Sequence, residues 1–438
     1  MARPPLVITI AAIAVLAIGL PPASAQVGGI RIDAEGLLHR AAVTSSAQPL
    51  TAAPGTFARR HSNRKISLKR LEAVIAEHLD SHRPLPDSIR FLAGLQRIDE
   101  VLLNLEEGDV VLVGPAAGWT RLPSGEVVDP KTHRPVLELD DLALALRFSA
   151  SPDRITSFIG CSIDPTRDGI KRYTRFLKGL SGALNTQKIP RLVEGMQRAM
   201  GDQDVRVFGV PADSRFACKL VAADYRLKRV AMGFERLPIK GLVSYMDLLA
   251  KADKSAVRRQ HRFWFVATHD GISRSPDSRT WSFSGPCLAV RTAAAGSPGD
   301  DDDKKASPIA KRMAANLTSK FPQLARRIPI FADLENLVRL TVASEIALHA
   351  PLAASEARWH SRVLVDPDRF RHRTSPAPRR VPSLASVRKG RGRNWVLSVS
   401  GGVKVEPPPV RRKNFGRIDR QLVRAKHHTP TSGSWWWD

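Results

Sequence analysis

Apolar and polar positions change period several times along this chain, and each change marks an expected element. Leu6 to Leu20 is one continuous apolar run. From Ser67 the pattern turns helical, with Leu68, Leu71, Ile75 and Leu79 on one face until Pro84 and Pro86 stop it. A short helix is predicted over Asp87 to Gln96, carrying Ile89, Phe91 and Leu92. Ile98 to Leu105 and Val110 to Val113 flank Glu106-Glu107-Gly108-Asp109, a hairpin signal. Gly114 to Trp119 breaks the sheet pattern, Pro123-Ser124-Gly125 makes a turn before Val127-Val128, and a helix is expected from Asp140 to Phe148.

Beyond Asp153 the periods continue to alternate. Asp164-Pro165-Thr166 reads as the cap of a helix over Asp168 to Leu180, and Val205 to Val210 reads as a buried strand. Asp213 is the expected cap of a helix with Phe216, Leu220 and Leu227 at spacings of four and seven, and Val243 to Ala250 adds another short helix. Phe263 to Thr268, Ile272 to Arg274, Trp281 to Ser284 and Leu288 to Thr292 are short strands divided by Asp270-Gly271, Ser275-Pro276-Asp277 and Gly285-Pro286. The simplest arrangement for them is a four-stranded meander. Two helices follow, Pro308 to Lys320 and Phe331 to His349, the second with Leu334, Val338, Val342 and Ile346 every four residues.

These elements define an α+β protein: helices with short antiparallel sheets, a small β-meander, and disordered N- and C-terminal extensions. The expected layout is a signal peptide at 1–25, a flexible leader at 26–65 and an α+β unit at 66–150. A middle unit at 151–255, the meander at 256–295, an acidic linker at 296–307 and a helical pair at 308–360 follow, with a basic disordered tail at 366–438.

Charge changes the picture next. The 438 residues carry a formal net charge of +26, and residues 366–438 hold 17 lysines and arginines against 5 acidic residues. Too little apolar area is available in that tail to offset its chain entropy. Such a charge favours polyanions: nucleic acid, acidic polysaccharide or an anionic membrane surface. Arg3, the apolar run and Ala23-Ser24-Ala25 have the pattern of an export signal cleaved before Gln26, which ranks polysaccharide and lipid above nucleic acid. Leu6 to Leu20 is shorter than the roughly 20 residues a membrane-spanning helix takes. Cys161, Cys218 and Cys287 are far apart, which excludes a zinc ribbon and a CxxC motif and leaves one disulfide or three free thiols open.

Candidate chemistry is sparse. GxSxG, HExxH, the P-loop and GxGxxG are absent, and no metal or cofactor is expected. His261, His269 and Asp270 flank the strand from Arg262 to Thr268, where a strand end could present an acid/base pair. Against that reading, Asp270-Gly271 is an ordinary turn. Asp224 and Tyr225, beside Arg226, Lys228 and Arg229, read as a solvated helix face with the phenol at its edge. Asp300 to Asp303 reads as an accessible loop rather than a calcium site. The strongest binding signal is in the tail: Arg388, Lys389, Arg391 and Arg393 before Trp395, then Arg411, Arg412 and Lys413, and finally Trp435-Trp436-Trp437. Clustered cations attract phosphates or carboxylates, and exposed tryptophans can stack on sugars or sit at a membrane interface.

Several stretches resemble, in order, a family of exported planctomycete proteins, the one catalogued as domain of unknown function 1598. They are Phe91 to Ile98, Gly108 to Pro115 with Gly118-Trp119, Arg134 to Leu137 with Asp140-Asp141-Leu142, and Cys161 to Thr166. Ala223 to Arg229, Arg262 to Phe265 and Phe331 to Leu337 complete the set, so the likeness runs over roughly residues 66 to 350. It implies no mechanism and assigns no functional residue. The sequence reading is therefore an exported, non-catalytic envelope or extracellular protein whose basic tail holds an anionic polysaccharide or lipid surface. Envelope proteins are further candidate partners. The rival readings are a secreted hydrolase of polysaccharide or peptide, and a nucleic-acid-binding protein.

Overall fold

The computed structural model describes residues 55–122, 125–155, 157–180, 186–237, 239–252, 261–285, 287–294, 306–352, 358–389, 395–398, 401–405, 415–418 and 435–438. It also gives the backbone of three short strands, β1 (Gln26–Val27), β2 (Ile30–Ile32) and β3 (Leu38–Arg40), which form a sheet of their own. Strand residues between 387 and 405 are likewise described by backbone only. The expected signal peptide at 1–25 and the aspartates 300–303 lie outside the described residues.

After a single helical turn, α1 (Gly55–Ala58), strand β4 (His61–Ser67) leads directly into helix α2 (Leu68–Asp80). Ser67 ends the strand and caps the helix, its hydroxyl accepting from the Arg70 amide, while Leu68, Leu71 and Ile75 turn inward as their spacing predicts. The leader was expected to remain unstructured to residue 65, and β4 corrects that boundary. A short helix α3 (Asp87–Arg90) precedes the expected hairpin, which forms as β5 (Glu100–Asn104) and β6 (Asp109–Ala116), with Asn104 opposite Asp109. The small ribbon β7 (Thr120–Arg121) and β8 (Val127–Val128) leads to α4 (Leu139–Ala150).

Next come β9 (Ile159–Pro165), α5 (Arg167–Lys178), α6 (Ile189–Met200), β10 (Asp202–Phe208), α7 (Arg215–Ala231) and α8 (Tyr245–Ala250). The cap of α7 is Ser214, one residue beyond the expected Asp213; its hydroxyl accepts from the Ala217 amide at 3.2 Å. The four strands expected as a meander all form, as β11 (His261–Ala267), β12 (Ile272–Arg274), β13 (Thr280–Phe283) and β14 (Leu288–Ala294). They are nested rather than sequential: β11 pairs with β14 and β12 with β13, in two different sheets. The turn after β11 and the loop before β14 cross from one sheet to the other, which short strands divided by turn signals do not reveal.

Helices α9 (Pro308–Arg327) and α10 (Pro329–His349) follow, and every residue of α10 from Ile330 to Ala347 is buried. Helix α10 packs against α4, α7 and α9 and touches β5, while α7 lies across β9 and β11 and α9 across β14. No helix among the described residues is long and apolar enough to cross a membrane.

The described part of the basic tail extends the folded region well past Asp366. Strands β15 (Arg380–Pro382), β16 (Ser386–Lys389), β17 (Trp395–Ser398), β18 (Gly401–Val405) and β19 (Gly416–Arg417) all lie beyond that point. The first six-stranded sheet runs β14-β11-β18-β9-β10-β15 and the second β19-β12-β13-β5-β6-β4. Strand β18 occupies an interior position, parallel to β11 and antiparallel to β9. Two polar side chains, buried Glu72 and half-buried Arg147, hold the stretch before β15. Glu72 accepts from the Ser361 hydroxyl at 2.5 Å and from the amides of Val363 and Leu364, and Arg147 donates to the carbonyls of Leu364 and Phe370.

Candidate anion-binding surface

The helical pair α5 and α6 follows β9 and precedes β10 in the chain, and it has an apolar cluster of its own, formed by Tyr173, Leu192, Met196, Met200 and Ala385. Within the expected capping stretch Asp164-Pro165-Thr166 it is Thr166 that starts α5, accepting from the Gly169 amide at 2.9 Å. Two glycines let the helices approach. A Cβ on Gly169 would lie 2.3 Å from the Met200 carbonyl oxygen, and one on Gly195 would lie 2.6 Å from the Phe176 ring. With Tyr173 inward, α5 turns Arg167, Lys171, Arg172, Arg175 and Lys178 outward. Lys188, Arg191 and Arg198 add three more cations, and between residues 167 and 198 only Asp168 and Glu194 are acidic. Both acids pair locally, with Lys171 at 3.5 Å and with Arg198. Ile170 is 47 % exposed and Leu180 42 %, so two large apolar side chains stand beside the cations.

The rest of the molecule reinforces this surface by withdrawing acid from it. Among the described residues eleven aspartates and glutamates are buried, against four lysines and arginines. The densest network joins the starts of α4, α7 and α10. Arg215 reaches Glu138 at 2.8 Å, Asp333 at 2.7 Å and Asp141; Lys219 reaches Glu126 and Asp333, each at 2.8 Å. Arg373, from the tail, closes on Glu138 at 2.7 Å and Asp140 at 2.6 Å. Burial raises the Asp141 carboxyl to about 7 despite Arg215 beside it, with Glu138 and Asp333 adding to the rise. Burial acts the same way on Asp333, but Arg215 and Lys219 outweigh it and hold that carboxyl below its ordinary value. The network consumes carboxylates inside and leaves the cationic excess outside.

Of the anion-binding residues expected in the tail, Arg388 and Lys389 lie in β16, which runs beside α6 and α8. The structure thus brings that strand to the helical pair. Arg391, Arg393, Arg411, Arg412 and Lys413 lie outside the described residues. The tryptophans were expected to be free for stacking. Instead Trp437 packs 4.4 Å from Phe57 with the Arg64 guanidinium 5.1 Å from its ring, and the Trp436 carbonyl accepts from the Ser67 amide. This stretch covers the edge of β4, whose unpaired backbone groups need a partner.

His261 does not meet His269 and Asp270. They sit at opposite ends of β11, about 20 Å apart at ~3.3 Å per residue. His261 is buried; its Nε2 accepts from the Ser307 amide at 3.0 Å and its Nδ1 lies 2.8 Å from the Tyr245 hydroxyl. Because Nε2 accepts from a backbone N–H, the ring proton belongs on Nδ1, directed at Tyr245. Ser307 caps α9, so His261 fixes the start of that helix. His269 and Asp270 line a pocket of about 800 Å³ beside β14 and α9, and Asp270 accepts from the Thr268 hydroxyl at 3.0 Å.

Asp224 and Tyr225 also depart from expectation: they and Lys228 are buried, because this face of α7 packs on β9. Lys228 donates to the Ile163 carbonyl at 3.1 Å and lies 3.6 Å from Asp224. None of the three cysteines is in a disulfide; Cys218 donates to the Ser375 carbonyl at 3.1 Å, and burial pushes the Cys287 thiol up to about 11.

The fold and surface together describe an α+β protein with a cationic helical pair beside the β16 strand. Residues 161–245 match the family model described as Protein of unknown function (DUF1598), a range that begins in β9, contains α5, α6, β10 and α7, and ends at the first residue of α8. The matched segment is narrower than the stretch over which the motifs resemble that family, and it contains the whole cationic pair. No curated protein and no solved structure matches the chain.

Proposed function

We propose that this is an exported envelope or extracellular protein that holds an anionic polysaccharide or lipid surface through the cationic face of α5 and α6, extended by the basic tail. The observation that carries the reading is the concentration of eight cations against two acids between residues 167 and 198, on a pair of helices whose basic side chains point away from the core. Clustered guanidiniums bind phosphates and carboxylates and release their counterions on doing so. Ile170 and Leu180 suit a membrane interface, where apolar side chains insert beside basic ones.

Deleting the tail is a poor test, because Arg373 and the Glu72-capped loop tie it into the fold. Charge reversal on α5 is cleaner. The fourfold variant Arg167→Glu, Lys171→Glu, Arg175→Glu and Lys178→Glu is expected to lose retention on heparin and on phosphatidylglycerol vesicles while keeping the parent circular dichroism. The parent should lose on the order of 10² to 10³ in affinity between 50 and 200 mM salt, as a linear polyanion contacted by several cations requires. Retention that ignores both salt and charge reversal sinks the proposal. Cell fractionation with mass spectrometry of the mature N-terminus tests export, with Gln26 the expected first residue.

A further inference from the structure

A second group of cations gathers at a separate place, between β5, β13, the last turn of α9 and α10. A pocket of about 400 Å³ there is lined by four arginines, Arg97, Arg134, Arg326 and Arg339, and by three acidic residues, Asp99, Glu100 and Glu335. Two of the four cations are engaged within the wall. Arg97 grips Asp99 through Nε at 2.5 Å and Nη2 at 2.8 Å. Arg339 holds Glu335 at 2.9 Å, donates to the carbonyls of Ile98 and Gly285 at 2.7 and 3.0 Å, and lies over the Phe283 ring.

Arg134 is in another situation. Its Nη2 is shut off from solvent and has no hydrogen-bond partner among the described residues. Burial first, then repulsion from Arg97 and Arg339, pulls this guanidinium below its ordinary pKa, and the attraction of Glu335 and Asp99 offsets that only in part. Arg326 stands exposed at the mouth, with no ion pair among the described residues. A buried guanidinium donor without an acceptor is costly, and a small rotation of the Arg134 side chain toward the pocket it lines would put that donor on an oxyanion.

We propose that this pocket is a binding site for a small-molecule oxyanion, a phosphate or carboxylate group held by Arg134 and Arg326. Its volume lies in the roughly 300–1,000 Å³ range of small-molecule sites, which separates it from the open helical surface that suits a polymer. Planar guanidiniums accept both anion types in bidentate fashion, and the engaged pairs Arg97–Asp99 and Arg339–Glu335 fix the walls.

Isothermal titration of the full chain with inorganic phosphate and, separately, with citrate, at constant ionic strength against a chloride control, tests this. One-to-one binding with a Kd of about 1 mM or tighter is expected for at least one of them. Phosphate alone assigns a phosphate ligand and citrate alone a carboxylate. Arg134→Met should weaken binding at least tenfold, the equivalent of ~1.4 kcal/mol. Because Arg134 is partly buried and its loss could disturb folding, Arg326→Gln serves as a second variant with the parent melting temperature and about threefold weaker binding. The fourfold α5 variant should bind both anions as the parent does, which separates this site from the polyanion surface. No saturable binding of either anion, or binding untouched by both substitutions, overturns the assignment.

Discussion

The ammonium group of Lys65 lies 2.6 Å from the carboxylate of Asp438, across 373 residues of chain. The Lys65 amide donates to the same side chain at 2.7 Å, the Asp438 amide returns a bond to the Lys65 carbonyl, and Trp437 pairs with Ile66. Residues 435–438 therefore work as a sealing strip along β4. Trp437→Ala should lower unfolding free energy by about 2 kcal/mol through lost packing on Phe57 and Arg64, read from urea denaturation. Lys65→Met should cost less, because it leaves Trp437 in place; an effect larger than that of Trp437→Ala would assign the strip to charge rather than packing.

The Asp141 carboxyl makes stability depend on pH. Its folded value, about 7, lies above the ordinary 3.8, so between those values the folded state holds a proton that the unfolded state has released. The stabilisation from that proton is complete near pH 4, fades as pH rises toward 7 and is gone above it, with a slope of up to about 1.4 kcal/mol per pH unit. Melting curves between pH 4.5 and 8 should show a steeper fall with pH for the parent than for Asp141→Asn. Parallel curves would show that Asp141 does not titrate in this window.

Gly169 is needed for the contact between α5 and α6, because an added Cβ meets backbone rather than a movable side chain. Gly169→Ala should force the helices apart at a cost of about 1–3 kcal/mol. Heparin affinity should fall with it, since the cations of α5 would no longer be held in register with those of α6. Unchanged affinity in a destabilised variant would locate polyanion binding in the tail.

Asn336 is buried in α10, and neither atom of its amide has a hydrogen-bond partner among the described residues. Replacing a desolvated, unsatisfied amide by an apolar side chain of similar size removes its penalty. Asn336→Leu should raise stability by about 1–2 kcal/mol in urea unfolding. A destabilised Asn336→Leu would mean the amide does have a partner, such as an internal water.

Much of the helical framework was legible because its signals are local. Leu68, Leu71 and Ile75, or Leu334, Val338, Val342 and Ile346, repeat at helical spacing and are all buried. Ser67 and Thr166 cap where short polar side chains should. The strands that escaped reading are those whose burial depends on distant partners. In β4 the inward positions include Arg64 and Lys65, satisfied by Ala93 and Asp438, so no apolar alternation marks it. In β18 the sequence Gly-Gly-Val-Lys-Val sits in a basic stretch whose composition points to disorder. The surface on α5 and α6 was visible as a charge count between residues 167 and 198 but was overshadowed by the denser arginines of the tail. That Asp224 and Lys228 are internal could not be read locally, because the helical period there fits a solvated face equally well. His261 drew notice as a polar residue at a strand end, and only its contacts with Tyr245 and Ser307 reveal it as a helix anchor.

Strand β18 sets the order in which this molecule can be assembled. Cys161 and Phe265 each face β18, the first across from Val403 and the second beside it. During synthesis β9 and β11 leave the ribosome long before residue 401 exists, so each waits with one flank of backbone donors and acceptors unclaimed. A nascent chain in that condition is open to strand exchange with its neighbours. Fragments ending before Val405, the family-matched segment among them, should aggregate on expression where the 438-residue chain does not.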